Sequence, residues 1–537
     1  MKSFIKYILP LSAVALTLGM TSCVGDLDVS PIDPNVVTQV DPSGLFTKCY
    51  ANLAIGGRQN GDGDSDIEGI DGGMSAFLRQ LFNSNELTTD EAICWWSDEG
   101  LAEYSYNTYN STHPMLKAYY YRLYYGISVC NLYLQQFGNV DATKTAEVRF
   151  LRALYYYYLL DAFGNVPWIT EPVSTGTQLT RAEIYQKVVD ETLAAEKDLA
   201  EPKAKTSADA TYGRADKAAA WMLLARLYLN AEVYTGSAHW DLASQYAKKV
   251  MSESGRELLM EGQNGWTPYQ MLFMGDNGES NAAKEAILPI IQDGLTVQSY
   301  GGTFYFMAGC YGSDIHPYFD NYTSGVNENW SGVRTTPEFL SLFFGENIPE
   351  DQTMKEMQAQ ANDNRALFWG KGQTLDVTAN TAFKYGLAVV KYNNFYSSKA
   401  DGTGCKNAGF PDTDFFLMRL AEAYLTYAEA EARQNGGNAT GAAAKAINDL
   451  RKRAGNPNQP NVYNLQDILD EWGREFYYEG RRRTDLIRFG QYTTGYTWQW
   501  KGGVHDGRSI SDNLKIFAIP ADDIFNGNGL IKQNPGY

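Results

Sequence analysis

Two adjacent tryptophans in an acidic stretch are the first residues whose types could bind a ligand. Residues 90–100 read DEAICWWSDEG, so Trp95 and Trp96 stand between two acidic pairs. Neighbouring side chains diverge by ~100° on a helix and ~180° on a strand, so the two rings can hardly share one face. Acidic residues are rarely buried deep in a core, which favours a position near the surface. The stretch is therefore either a surface turn with one tryptophan in the core or the site of an exposed aromatic that binds a ligand.

Aromatic residues are abundant along the whole chain. Phe, Trp and Tyr make up 13% of the residues, and 37 of these are tyrosines. A flat aromatic face offers an apolar partner to the C–H bonds of a sugar ring, and Tyr or Trp loses little rotamer freedom in doing so. Tyr-rich loops also serve core edges and protein interfaces, so composition leaves both interpretations open. Many of these aromatics fall in predicted loops: Trp95, Trp96, Tyr104, Tyr106, Tyr109, Trp266, Tyr300, Tyr311, Tyr318, Tyr322 and Trp330.

The sequence supplies little for nucleophilic or metal-assisted catalysis. It contains no GxSxG, no HExxH and no Gly-rich phosphate loop ending in Lys-Ser/Thr. Few residues are available for histidine-based acid–base catalysis, because the chain contains only four histidines. A glycosidase with two carboxylates stays an alternative, but 63 acidic residues give some pair about 5 to 9 Å apart by chance, so their number carries no information. The histidines are His113, His239, His316 and His505.

Two acidic loops could bind calcium, because alternating carboxylates can surround a hard cation. The first loop lacks the glutamate that completes an EF-hand, since position twelve counted from Asp64 is Ser75. Solvated turns are the alternative for both loops. No cofactor is required by this reading, and a structural calcium ion would order a loop rather than take part in chemistry. The candidate ligands are Asp62, Asp64, Asp66, Glu68 and Asp71 in the first loop, and Asp276, Asn277, Glu279 and Glu285 in the second, of which Asp276, Glu279 and Glu285 are the predicted metal site.

The amino terminus predicts export. Residues 1–22 carry Lys2 and Lys6 ahead of an apolar run and end in small residues, which is typical of a secretory signal peptide too short to remain as a membrane span. Because Cys23 stands where cleavage would fall, the segment resembles a bacterial lipoprotein signal, with Cys23 acylated. A plain secreted protein is the alternative. Residues 23–40 then form a lipidated tether.

Charge and cysteine usage agree with an extracytoplasmic protein that does not bind nucleic acid. The formal net charge is −18, and a surface of that sign repels phosphate backbones. The cysteines beyond Cys23 show no paired spacing, so they predict neither a disulfide framework nor a Cys/His metal cluster.

Helical periodicity dominates the elements that must position these residues. Thr180 is the expected N-cap of one helix, and the segment from Asp216 is apolar nearly all round, which predicts a buried helix. The predicted helices before the middle of the chain are Met115–Phe137, Ala146–Phe163, Arg181–Ala200, Asp216–Val233 and Asp241–Ser252.

The last two of these helices resemble a tetratricopeptide unit, in which small residues let paired helices approach and large residues fill the gap. The pattern recurs at Phe415–Arg433 and Thr440–Ala454, joined by a Gly-rich turn. The sequence therefore predicts a mainly α fold of diverged tetratricopeptide-type repeats with a large loop-rich insertion, where binding surfaces usually lie. The predicted parts are one composite domain over residues 41–537, with helical repeats at about 41–254 and 414–490, an insertion at about 255–413 containing minor strands such as Ala388–Tyr392, and a tail at 491–537.

One charged motif carries a family resemblance. Residues 474–490, REFYYEGRRRTDLIRFG, resemble the SusD/RagB family of surface lipoproteins that capture glycans for a TonB-dependent outer-membrane transporter. The segments DLDVSPIDP, RFLRALYYYYLLDAFGNVP, YGRADKAAAWMLLARLYLNAEVYTG, FPDTDFFLMRLAEAYLTYAEA and WKGG are similar to the family along nearly the whole mature chain. We interpret the motif as a structural network rather than a ligand site. Its charges are Glu475 and Glu479 against Arg481, Arg482, Arg483 and Arg488.

Within the family the sequence most resembles the starch-binding founder, in which an arc of aromatics stacks on the curve of an α-glucan. The resemblance implies that Trp96, Tyr300 and Trp330 form this arc and that Arg79 donates hydrogen bonds to the sugar. Glu99 stands where the starch binder has an asparagine three residues after the stacking tryptophan. A carboxylate accepts hydrogen bonds but does not donate, so another glucan linkage stays open.

The resemblance also implies partners and location. It implies binding of starch or maltooligosaccharides without bond breaking, and helical repeats that face a SusC-like TonB-dependent transporter. It further implies a lipid anchor in the outer membrane and exposure at the cell surface. Of the adjacent tryptophans, it assigns Trp95 to packing and Trp96 to the ligand. The same fold binding another glycan or a peptide, a glycosidase, and a repeat scaffold without a small ligand are the alternatives.

Overall fold

The computed structural model of the chain describes residues 40–58, 61, 65–172 and 174–537. The predicted signal peptide, Cys23 and nearly all of the predicted tether lie outside the described residues. Phe46–Tyr537 forms one compact unit, and the described residues 40–45 belong to a separate one. Within the described part of the chain, no helix is long and apolar enough to cross a membrane.

Helices account for most of the regular structure. The described residues form α1 (Pro42–Ala54), α2 (Phe77–Asn85), α3 (Leu101–Ser105), α4 (Pro114–Phe137), α5 (Ala142–Ala162), α6 (Arg181–Glu196), α7 (Lys217–Leu229), α8 (Ala231–Thr235), α9 (Trp240–Glu253), α10 (Pro268–Met271), α11 (Thr303–Ala308), α12 (Pro337–Phe344), α13 (Met354–Ala361), α14 (Leu420–Gln434), α15 (Gly441–Arg453), α16 (Leu465–Phe476), α17 (Arg482–Arg488) and α18 (Ala521–Asn526).

Strands are short and pair in twos. They are β1 (Ile93–Cys94), β2 (Val166–Trp168), β3 (Thr177–Leu179), β4 (Ala286–Ile290), β5 (Val333–Arg334), β6 (Phe368–Trp369), β7 (Ala388–Val389), β8 (Phe415–Arg419), β9 (Asn438–Thr440) and β10 (Val462–Asn464). The antiparallel pairs are β1 with β5, β2 with β3, β4 with β8, β6 with β7, and β9 with β10. The predicted mainly α fold with minor short strands is confirmed.

The long helices form a frame in which neighbours pack in series. Helix α4 packs on α5, α5 on α6, α6 on α7, and α7 on α9. The chain then enters the insertion and returns in α14, which packs on both α9 and α15. On α7, Ala218, Ala219 and Ala220 are fully buried, and small side chains at a contact let helix axes approach closely. This packing is consistent with diverged helical repeats on either side of residues 255–413.

Local sequence signals set most helix boundaries correctly. Thr180 caps α6, and the side chain of Glu183 bonds back to the Thr180 backbone, completing a capping box. Four predicted helices differ from the structure. The one predicted over Ala146–Phe163 begins four residues earlier, and the one predicted over Arg181–Ala200 ends four residues earlier. The one predicted over Asp216–Val233 is interrupted at Asn230, between α7 and α8. The one predicted from Phe415 begins five residues later, because residues 415–419 are wholly buried and pair with β4 as a strand.

The family motif lies in a buried ionic network. Glu475 is fully buried and bonds to Arg419 at 2.7 Å, to Arg365 at 3.1 Å and also to Arg453. Burial raises the pKa of Glu475, but the three guanidinium groups outweigh this and bring it to about 2. Glu479 pairs with Arg419 as well. The interpretation as a structural network agrees with this burial, but the predicted partners were wrong, because these glutamates pair with arginines from other segments.

Arg482 of the motif pairs with the acidic stretch. Its Nε and Nη2 donate to the two carboxylate oxygens of Asp90 at 2.9 and 2.8 Å. Asp90 and Glu91 are 0% and 1% exposed, whereas residues 95–99 are exposed or half-buried. The stretch as a whole is therefore not in the core, as expected, but its first two acids are. The guanidinium balances the charge of Asp90. Burial and the adjacent Glu86 carboxylate raise the pKa of Glu91, which favours its uncharged form.

Candidate functional site

Three aromatic side chains from distant parts of the chain form one continuous surface. The ring centroids of Trp96 and Trp330 lie 6.1 Å apart, and those of Trp330 and Tyr300 lie 6.0 Å apart. All three residues are half-buried, so part of each ring reaches solvent. We call Trp96, Trp330 and Tyr300 the aromatic surface. The structure therefore brings together the three aromatics that the resemblance singled out.

The pairing of β1 with β5 positions Trp96. Cys94 lies opposite Val333 in this pair, which carries the chain past the loop that holds Trp330. The indole Nε1 of Trp96 then donates to the carbonyl oxygen of Trp330 at 3.1 Å. Gly332 lies directly beneath the ring, because a Cβ at this position would stand 2.1 Å from Trp96 Cε2. Only glycine leaves room for the indole here.

The loop that carries Trp330 is fixed by the end of α11. The backbone nitrogen of Trp330 donates to the Ala308 carbonyl at 2.6 Å, and the backbone nitrogen of Gly332 donates to the Gly309 carbonyl at 2.8 Å. The indole Nε1 of Trp330 donates to the carboxylate of Glu328 at 2.6 Å. Backbone and side chain of this tryptophan are thus both oriented by bonds within the protein.

Tyr300 is held between two other rings. Its ring centroid lies 5.0 Å from that of Phe410 and 5.3 Å from that of Phe304. Gly61 lies against the same ring, since a Cβ there would come within 2.6 Å of it. Phe304 also contacts Trp330 at 5.1 Å. These contacts hold the Tyr300 ring in place, and the part of the ring that remains exposed belongs to the aromatic surface.

Arg79 reaches the same region from α2. Its backbone nitrogen donates to the Gly301 carbonyl at 3.0 Å, beside Tyr300. The guanidinium carbon lies 4.9 Å from the ring centroid of Tyr305, which in turn lies 6.2 Å from that of Trp96. Its Nε is buried without a hydrogen-bond partner among the described residues. Leaving such a donor unpaired costs roughly 1 to 3 kcal/mol.

Trp95 and Glu99 lie on the same stretch as Trp96. Trp95 is 36% exposed, and its Nε1 donates to the Ser331 carbonyl at 2.5 Å. The assignment of Trp95 to packing is therefore wrong, and both indoles are partly open to solvent. Glu99 is exposed and makes no hydrogen bond or ion pair with another described residue. Its carboxylate is free to accept hydrogen bonds from a ligand.

The stretch that carries these residues is anchored at both ends. At its start, Asp90 is held by Arg482, as described above. At its end, the carbonyl oxygen of Gly100 accepts a hydrogen bond of 2.9 Å from His113 Nε2, whose Nδ1 accepts from the Leu116 backbone and caps α4. Burial lowers the pKa of His113 to about 4, so it is uncharged at neutral pH. This histidine is a positioning residue of the frame.

The predicted calcium ligands do not come together. Asp276 is buried and accepts hydrogen bonds from the Ser397 and Ser398 backbone. Glu285 is buried between Arg419 and Arg453. No group of three or more His, Cys, Asp or Glu residues within the described chain is arranged to hold a metal ion. The prediction at Asp276, Glu279 and Glu285 is therefore not supported, because separate partners already satisfy two of the carboxylates.

Glu279 lies instead at the edge of an acidic cavity of about 510 Å³. Lys406 also lines this cavity, and its ammonium lies 3.6 Å from Glu279 and 3.2 Å from Asp293. The Lys406 ammonium therefore occupies the position beside both carboxylates where a metal ion would otherwise bind. In the first acidic loop, Asp62 and Asp64 lie outside the described residues, and Asp66 pairs with Lys48 and Arg122.

Sequence reasoning missed the rings that support the surface. Phe304, Tyr305 and Phe410 contact Tyr300, Trp96 or Trp330, yet none was singled out. One signal was available, because α11 reads TFYFMA and begins three residues after Tyr300. Three consecutive aromatics so close to Tyr300 could have suggested ring contacts with it, because aromatic side chains pack favourably on one another.

Comparisons with known proteins agree on one family. A family model described as "SusD family" matches residues 318–537, and one described as "Starch-binding associating with outer membrane" matches residues 73–229. The "Starch-binding protein SusD" of Bacteroides thetaiotaomicron is 38% identical over 99% of this chain and 99% of its own length. The first match contains Trp330, and the second contains Arg79 and Trp96.

Solved structures share the fold at lower identity. A laminarin-binding SusD-like protein is 21% identical, with a TM-score of 0.66, over 93% of this chain and 99% of its own. Surface glycan-binding protein A of Bacteroides thetaiotaomicron, solved with laminarihexaose, is 20% identical, with a TM-score of 0.65, over 92% of this chain and 98% of its own.

Proposed function

Because the chain belongs to the SusD family of non-catalytic glycan-binding proteins, we propose that it captures starch-type α-glucans and delivers them to a TonB-dependent outer-membrane transporter. The observation that carries this proposal is the continuous surface formed by Trp96, Trp330 and Tyr300. The whole-length relative at 38% identity is named as a starch-binding protein, which supports an α-glucan over other glycans.

Capture would depend on stacking against rings that are already in place. Hydrogen bonds fix the indoles of Trp96 and Trp330 before any ligand arrives, so little ordering cost is left for binding. Each stack contributes on the order of 1 kcal/mol. Three stacks with a few hydrogen bonds then give a dissociation constant of roughly millimolar for a short oligosaccharide. Long chains gain by contacting several protein copies at once.

Polar groups at the edge of the surface would set the orientation of the glycan. Arg79 supplies donors for sugar oxygens, and Glu99 accepts from sugar hydroxyls. The tilt of 64° between Trp96 and Trp330 and of 44° between Tyr300 and Trp330 bends the surface, which favours a glycan that is itself curved. A helical α-glucan has such a curve.

Location and delivery complete the proposal. A lipid on Cys23 would anchor the protein at the outer membrane, exposed at the cell surface, and the helical frame would face the transporter. One matching family model is described as associating with the outer membrane, which supports this location. Co-purification of a TonB-dependent transporter with the intact chain from outer membranes tests delivery, and loss of membrane association in Cys23→Ala tests the anchor.

The binding step is tested by native gel electrophoresis through amylopectin. We expect the gel to retard the parent protein and to retard Trp96→Ala much less, because one of three stacking rings is gone. Phe525→Ala is the matched control, since this ring is 85% exposed on α18 and is not part of the aromatic surface. Unchanged retardation of Trp96→Ala would overturn the site, and a parent that amylopectin does not retard would overturn starch as the ligand.

A second candidate function is capture of a different glucan. The exposed carboxylate of Glu99 favours it, because an acceptor at this position cannot replace a donor. The same gels cast with laminarin distinguish the two candidates. Retardation by laminarin without retardation by amylopectin would establish the second candidate.

A further inference from the structure

A second cavity begins beside the aromatic surface. It has a volume of about 470 Å³ and lies between residues 313–329 and residues 394–408. Asn329, which lines it, directly precedes Trp330 in the chain. Ala408 also lines it and lies two residues before Phe410, which packs on Tyr300. The cavity is therefore separate from the aromatic surface but shares its supporting segments.

Three side chains that line the cavity each carry a buried polar atom that no other described residue satisfies. Asn394 is 1% exposed, and its Oδ1 accepts from the Asp412 backbone at 2.8 Å, which fixes the side chain. Its Nδ2 has no hydrogen-bond partner among the described residues, and neither have His316 Nδ1 and Asn329 Oδ1. All three side chains line the cavity. An unpaired buried polar atom costs about 1 to 3 kcal/mol, so a ligand hydroxyl group that pairs with one of these atoms removes that cost.

The walls of the cavity are preformed. The Asn394 nitrogen donates to the Ser324 carbonyl at 2.7 Å, and the Asn327 nitrogen donates to the Ala408 carbonyl at 2.8 Å. Gly325 has a φ of +88° and a Cβ there would lie 3.2 Å from Asn394, so the two walls meet at a position suited to glycine. These bonds hold the cavity open without a ligand, which lowers the cost of binding.

The chemistry of the lining selects an uncharged polyhydroxylated ligand. Neutral amides and an imidazole nitrogen can donate to or accept from hydroxyl groups, which do both. Tyr322 stands at the cavity, 56% exposed, and meets Phe395 edge-on at 6.3 Å. Asp401 is a lining carboxylate, but its Oδ1 already accepts from Thr403. The volume falls in the range of pockets that enclose small ligands.

We propose that this cavity is a second sugar-binding pocket, which takes one or two hexose units at an end or a branch of the glycan that lies on the aromatic surface. The identity of the ligand as a glycan rests on the proposed function. Tyr322 supplies the stacking face, and Asn394, Asn329 and His316 pair with the hydroxyl groups. The pocket opens to solvent beside Tyr322, and its volume of about 470 Å³ suits one or two sugar rings at a chain end or branch.

Cys405 provides a built-in probe of occupancy. It lines the cavity and is a partly exposed free thiol, whereas the other described cysteines are buried. Iodoacetamide labelling of the full chain, followed by mass spectrometry of the Cys405 peptide, measures its alkylation rate with increasing maltose. We expect saturating maltose to slow alkylation at least fivefold in the parent and equally in Trp96→Ala. We expect Tyr322→Ala to need several-fold more maltose, and Phe525→Ala to behave as the parent.

Each outcome separates the pocket from the aromatic surface. An alkylation rate that neither maltose nor maltoheptaose changes, with retardation by amylopectin retained, would overturn the pocket and leave the proposed function intact. Protection of Cys405 that disappears in Trp96→Ala would also overturn it, because the shielding would then come from glycan on the aromatic surface. Protection without retardation by amylopectin would support the pocket and contradict the proposed role of the surface.

Discussion

Replacing Gly332 by alanine should weaken the site without changing a ligand-facing residue. The new Cβ would stand 2.1 Å from Cε2 and 2.2 Å from Cζ2 of Trp96. Non-bonded carbons lie about 3.5 to 4.0 Å apart at optimal separation, so the indole must move by roughly 1.5 Å. Such a shift breaks its 3.1 Å bond to the Trp330 carbonyl and tilts the ring out of the aromatic surface.

The expected effect on binding is the loss of one stack. That is on the order of 1 kcal/mol, or about fivefold in the affinity for maltoheptaose. Isothermal titration calorimetry of Gly332→Ala and the parent protein measures it. Thermal unfolding should also show a lower melting temperature for Gly332→Ala, because the clash strains the folded state.

A double-mutant cycle isolates the clash as the cause. In the Trp96→Ala background the indole is absent, so the alanine Cβ at position 332 no longer clashes with it. Adding Gly332→Ala should then change neither the affinity nor the melting temperature further. A parent-like affinity for Gly332→Ala alone would refute the reasoning. An equal loss of melting temperature in both backgrounds would also refute it, since the strain would then not involve Trp96.

Three further results are expected from the same structure. Glu99→Gln should bind maltoheptaose a few-fold more tightly by calorimetry, because an amide can donate where a carboxylate cannot. An unchanged affinity would contradict a sugar contact at this position. Arg453→Met leaves buried Glu285 and Glu475 short of a partner, so urea denaturation should show a free energy of unfolding about 3 kcal/mol lower. Lys452→Met, at an exposed neighbouring position, serves as the control. Equal losses in the two variants would contradict the role of the network. The pKa of Glu475 in the folded protein is about 2, which lies below the ordinary value of a glutamate. The ionised carboxylate therefore contributes to stability above pH ~4.5, and this contribution is lost as the pH falls toward 2. A urea midpoint that stays constant from pH 5.5 to 3 would contradict this prediction.

Periodicity and capping predicted most of the frame, because these signals are local. Thr180 and Glu183 lie three residues apart and define a helix start on their own. The ionic network was different, since Glu475 pairs with Arg419, 56 residues away, and no local pattern specifies such a pairing. The buried run at 415–419 was read as helix because a short apolar run carries no period of its own.

The aromatic surface could be predicted only from resemblance. Trp96, Tyr300 and Trp330 lie in loops, where neither a period of 3.6 nor a period of 2 fixes the direction of a side chain. Trp95 was misassigned for the same reason, because the chain leaves its strand at Cys94 and the next two side chains follow hydrogen bonds to the 330–332 loop instead of strand alternation. The supporting rings of α11 were visible in the sequence but had no partner until the fold supplied one.

The register of β1 against β5 decides which tryptophan enters the aromatic surface. Ile93 is opposite Arg334 and Cys94 opposite Val333, which delivers the second indole of the pair to Trp330. Sliding one strand by a single residue would move both indoles one position along the 330–332 loop and break their hydrogen bonds to the carbonyl groups of Ser331 and Trp330. Deleting or inserting one residue between Cys94 and Trp96, or between Trp330 and Val333, would therefore change the shape of the aromatic surface while every aromatic residue remained in the chain. Loop length, as much as residue identity, is the variable through which such a surface can acquire a different specificity.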